Sequence, residues 1–145
     1  MSTESKRMHD IKITSFPVIC FWREFIRIRS DEESLTTTTM AGLKNGMFTE
    51  LLIIDLNGCG YKVKAARKLH GVGLLWGYNI FLNQRIKVEL QYEDGFRDVP
   101  LYEIKDLVFR SFRKWHGWST QGDFKELQAD VINAISIAQI INILS

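Results

Sequence analysis

The side chain best suited to nucleophilic chemistry is Cys59, which stands between two glycines in Asn57-Gly58-Cys59-Gly60. Residues that tolerate positive φ predict a tight turn here, with the thiol exposed and Lys62 or Lys64 near enough to lower its pKa. A turn by itself brings no pocket, no oriented base and no oxyanion donors, so the expectation for Cys59 is structural and no catalytic residue is assigned. The histidines, His9, His70 and His116, are far apart, and none has Cys, His or Glu at zinc-ligand spacing. No metal is therefore expected, since a site would have to be assembled entirely by the fold. Gly71, Gly73 and Gly77 miss the dinucleotide fingerprint because Trp76 occupies the place of its third glycine. There is no phosphate-binding G-x-x-x-x-G-K, no G-x-S-x-G and no H-E-x-x-H, so no cofactor is expected either. Glu93-Asp94 fits a turn, and Glu103 with Asp106 fits the first turn of a helix, where acids complement the dipole.

Binding chemistry is better represented. Placing residues every 100° along a helix from Leu101 sets Tyr102, Lys105, Phe109 and Arg113 on one strip beside the apolar stripe, with Arg110 and Lys114 further round. An exposed aromatic flanked by cations suits a protein partner, and Trp118 could extend the same surface. The alternative is that a broad sheet buries Phe109 and Tyr102, and that the tryptophans form a packed corner. Lys62, Lys64 and Lys68 would share one face of a strand, and with Arg110 and Lys114 they define a possible site for single-stranded nucleic acid. Nineteen Lys and Arg against 17 Asp and Glu leave a net charge of only +2, so nucleic-acid binding is expected to be weak at most.

The elements that would carry these groups follow from periodicity. Residues 1–9 are polar and aperiodic and are expected to be a flexible tail. Ile11 to Ile28 leans towards extended structure, and Asp31-Glu32-Glu33 with Thr36 to Thr39 looks like a solvated connection. Phe48–Leu56 and Tyr61–Leu69 should pair as a hairpin; Leu74–Leu82, apolar on both faces, should pair with Arg85–Tyr92 across Asn83-Gln84. In the last of these strands Ile86, Val88, Leu90 and Tyr92 face inward. A helix carrying Leu101, Ile104, Val108, Phe112 and Trp115 is stopped by Gly117. Two more start at the capping patterns Asp123/Glu126 and Ser136/Gln139, and should pack on the sheet through Val131, Ile135 and Ile141. Strands followed by helices predict an α+β fold: an antiparallel β-meander of about four or five strands, with C-terminal helices packed on one face.

With 145 residues, 46% hydrophobic and 25% charged, residues 1–145 are expected to form a single domain. Neither cysteine is in a C-x-x-C pair, which favours a reducing, cytoplasmic setting. No run reaches the 18 apolar residues of a membrane span, and no membrane partner is expected. The stretch Phe16 to Trp22 follows basic residues, yet it lacks a small-residue cleavage site and leads straight into Arg23-Glu24, so it is read as core rather than leader.

In size, α+β layout and lack of catalytic motif, the region from Phe48 to Ser145 resembles the small cytoplasmic immunity proteins that bacteria carry beside contact-dependent or polymorphic toxins. The resemblance implies a non-enzymatic protein that neutralises a cognate protein toxin by stoichiometric binding. Many such proteins are acidic where this chain is slightly basic, which argues against a basic nuclease toxin as the partner. A single-stranded nucleic-acid-binding domain is the first alternative. The second is a small enzyme or ligand-binding protein whose site converges on Cys59, His70 or His116.

Overall fold

The computed structural model describes residues 12–71, 85–93, 97–115, 117–118 and 123–145. Among the described residues, seven strands and five helices follow in chain order: β1 Val18–Trp22, β2 Phe25–Arg29, α1 Glu32–Thr36, β3 Thr37–Thr39, α2 Met40–Lys44, β4 Leu52–Ile54, β5 Cys59–Gly71, β6 Arg85–Tyr92, β7 Arg97–Asp98, α3 Leu101–Lys114, α4 Phe124–Asn133 and α5 Ile137–Leu144. The fold is α+β, and all strand pairs are antiparallel in the order β2-β1-β4-β5-β6-β3, with β7 beside the start of β5. None of the described helices is long and apolar enough to cross a membrane.

The apolar run of β1 is explained by cover on both faces. Ile19 and Phe21 point to the C-terminal helices, where Ile104, Val108, Val131 and Ile141 complete one core. Val18 and Cys20 point the other way, into a second core with Leu35, Phe48, Val63 and Val88, around which the sheet curls. The alternation of β6 is as the pattern predicts, with Ile86 and Val88 buried.

The hairpin around Gly58 forms, but β4 is only Leu52–Ile54; Phe48 and Leu51 are buried in the turn before it. Gly58 has φ +86, and the buried Asp55 carboxylate organises the turn by accepting 2.9 Å hydrogen bonds from the amides of Asn57 and Cys59. β6 pairs directly with β5, and at Ile86–Lys87 also with β3, so both of its sides are occupied there. The expected strand Leu74–Leu82 lies outside the described residues.

Four expectations are corrected. The solvated connection is structured: Asp31 caps α1 with a 2.7 Å bond from the Ser34 amide, and Thr37–Thr39 form an edge strand suited to β-branched residues. Ile135 does not pack on the sheet. α4 ends at Asn133 and Ala134 is extended, which breaks the helical period; Ala134 takes the core position and Ile135 is 79% exposed. Asp123 makes no side-chain capping bond. At α5, Ser136 does accept from the Gln139 amide, but the Gln139 side chain reaches back to the amide of Ile135 rather than to that of Ser136.

Candidate functional site

The predicted helix strip does not come together as one exposed surface. Tyr102 is 72% exposed and Arg113 is also exposed, but Lys105 spends its ammonium on the Ile132 carbonyl at 2.7 Å, tying α3 to the end of α4. Phe109 is half-buried against the helix core, its ring edge-on to Phe112 at 5.7 Å. Trp118 is buried, and its indole N–H donates to Ser111 Oγ at 3.0 Å. It belongs to the packed corner with Phe112 and Trp115.

The lysine face is divided. Register shifts in β5 between Val63 and Ala65, and between Lys68 and His70, leave Lys64 and Leu69 as extra residues. Each shift moves the side chains that follow to the opposite face, so Lys68 stands across from Val88, on the inward face, while Lys62 and Lys64 are exposed elsewhere. Arg110 and Lys114 are exposed on α3.

Neither Lys62 nor Lys64 activates Cys59. Partial desolvation, with the carboxylates of Asp55 and Asp98, pushes its thiol pKa up. Cys59 and His70 lie at opposite ends of the 13-residue β5, and His9 and His116 lie outside the described residues. Among the described residues no group of three or more His, Cys, Asp or Glu could hold a metal.

What the fold does assemble is the end of the β1–β2 hairpin. Trp22 and Phe25 flank a two-residue turn, Arg23-Glu24, and pair across it, so their rings fall on one face and stack at 5.9 Å and 22°. Arg23 has φ +55, a left-handed conformation that costs a non-glycine residue roughly 1–2 kcal/mol. A buried chain of hydrogen bonds holds the turn: Trp118 donates to Ser111 Oγ, and the Ser111 hydroxyl donates to the Glu24 carbonyl. The guanidinium of Arg23 lies 4.7 Å over the Trp22 ring, and Trp115 meets Phe25 edge-on at 5.7 Å.

Beyond the turn, β2 is the last strand of its sheet among the described residues and has a hollow on each face. One, of about 200 Å3, is walled by Cys20, Trp22, Phe25, Arg27, Phe48 and Leu51. Burial pushes the Cys20 thiol up to about 12 despite nearby Arg29, so the thiol is protonated at pH 7. The other, of about 530 Å3, is lined by Ile26, Ile28, Trp115, Leu127, Ile143 and Leu144. Among the described residues, ion pairs join Lys12 to Glu32, Arg67 to Glu89 and Arg97 to Glu103. Arg23, Arg27 and Arg29 are in none of them.

A third hollow, of about 510 Å3, lies between α1 and β6 and is lined by Lys12, Glu32, Lys87, Glu89, Leu90 and Tyr92. Its charges balance internally, with Lys12 3.6 Å from Glu32. Burial keeps the Tyr92 hydroxyl protonated well above the usual tyrosine range.

Sequence reasoning passed over the hairpin, although Phe25-Ile26-Arg27-Ile28-Arg29 carries a readable signal: aromatic and arginine on one alternation, isoleucine on the other. No protein family, curated protein or solved structure matches this chain.

Proposed function

We propose that this chain is a protein-binding module that engages its partner through the free end of the β1–β2 hairpin. In its most concrete form it is an immunity protein, which neutralises a cognate toxin by covering a surface of it. The observation that carries the reading is the rigid display of Trp22, Arg23, Phe25 and Trp115 around a turn anchored from below by Ser111 and Trp118. Trp and Arg dominate interface energetics at about 2 kcal/mol or more each, and a surface already ordered loses little entropy on binding. Three arginines without ion-pair partners among the described residues favour a partner with acidic groups at its contact face.

The test is co-expression with the protein encoded beside this chain, scoring co-purification and protection of cells from it. The double substitution Trp22→Ala with Arg23→Ala should weaken binding by about 30-fold or more and abolish protection while the chain still folds, as its circular dichroism would show; that factor corresponds to about 2 kcal/mol. Full affinity in that folded variant would place the interface elsewhere. A wild-type chain that neither binds nor protects would remove the immunity reading.

A further inference from the structure

We infer that β2 is an acceptor edge, to which the partner adds an extended segment alternating acidic and aliphatic residues. The inference rests on the protein-binding reading above and specifies its mode. β2 ends the strand order, and β1 is its only neighbour among the described residues, so over its five residues one side of its backbone has no described strand beside it. The opposite edge, β3, is three half-buried threonines flanked by helices on either side in the chain, and offers a shorter template.

An added strand would lie about 4.8 Å from β2 and send successive side chains to opposite faces. On one face its neighbours are Phe25, Arg27 and Arg29, and on the other Ile26 and Ile28, with a hollow behind each row. Carboxylates complement the arginine row, and branched aliphatic side chains fit the 530 Å3 hollow. The recognised pattern is therefore acid, aliphatic, acid, aliphatic. A second copy of this chain fits badly: the two-fold antiparallel pairing that overlaps β2 most fully sets Arg27 against Arg27, and like charges directly opposite destabilise.

The test is titration calorimetry of the full chain with a blocked heptapeptide, Glu-Leu-Glu-Leu-Glu-Leu-Glu, against its lysine-for-glutamate counterpart and against a version N-methylated at alternate amides in either phase. The acidic peptide should bind one to one, at least tenfold more tightly than the lysine peptide, and one phase of N-methylation should weaken it at least tenfold. Arg27→Glu with Arg29→Glu should reverse the charge preference. Equal binding of the two peptides, indifference to methylation in both phases, no binding of the acidic peptide, or a dimer of the chain joined through β2 would each overturn the inference. A partner whose co-purification is lost with Trp22→Ala and Arg23→Ala but survives Arg27→Glu with Arg29→Glu would also overturn it, and would leave the protein-binding reading standing.

Discussion

The flank of α3 and the end of the β1–β2 hairpin carry nearly the same chemistry, aromatic rings beside cations, and the fold treats them oppositely. On α3, Lys105 is bound to a carbonyl of α4 and Phe109 leans on Phe112, so the strip has become part of a helix seam. On the hairpin, Arg23 rests on Trp22 and the arginines of β2 have no acidic partner among the described residues. The difference is geometric. A residue one step round from a helix's core stripe is within reach of any second helix that packs alongside, whereas the outermost strand of a sheet has nothing further in its own layer to meet.

Several substitutions would break or sharpen this contrast. The largest effect should come from the helix layer: Val131→Asp puts a charge at a position with no exposure and should cost about 4 kcal/mol or more, read as a collapse of the thermal transition. Unchanged melting would mean that the helix layer is not packed as described. Ser111→Ala is more revealing, because it removes the partner of both the Trp118 indole and the Glu24 carbonyl. It should cost about 2–3 kcal/mol in urea unfolding and also weaken partner binding, although Ser111 is itself buried.

Next comes a matched pair. Phe109→Ala should cost about 2 kcal/mol of stability and leave binding intact, whereas Trp22→Ala, which also loses packing on the second core, should weaken binding as well; intact binding in the Trp22 variant, or weakened binding in the Phe109 variant, would erase the distinction between the regions. The smallest effect concerns α1, whose Leu35 helps to roof the hollow beside Arg27. A hydrogen bond from the Ser34 amide holds the Asp31 carboxyl below its ordinary 3.8, so its contribution is fully present above that pH and is lost as pH falls through the lowered folded value. Asp31→Asn should therefore flatten the acid limb of the stability profile; parallel acid limbs in the two proteins would rule out a charge-dependent cap.

The parts of the fold legible in advance were those decided locally. Alternation alone placed Ile86 and Val88 inward, the glycine at 58 marked its turn, and the spacing of Ile104, Val108 and Phe112 gave the buried stripe of α3. The misplaced residues depend on events outside their own window. Lys68 changed face because one extra residue enters β5 upstream of it, and Ile135 was lost to solvent because α4 stopped two residues earlier. The candidate site was harder still. Being the last strand of a sheet is a property of topology, and nothing within Phe25–Arg29 states that β1 alone among the described strands will lie beside it.

The two extra residues of β5 bear on how this chain can change its length over evolutionary time. Together they invert the inside and outside of a short window, Ala65 to Lys68, and then restore it. Loss of Lys64 alone would remove the first irregularity and leave Ala66 opposite Leu90 and Lys68 opposite Val88, because the deleted residue is the one without a partner in β6. Loss of Lys64 and Leu69 together would leave the strand's two ends in their original sense. Natural variants of β5 should therefore differ in length by one residue at either irregularity, and a library of deletions along the strand scored for soluble expression should show survivors at Lys64 and at Leu69, singly or together.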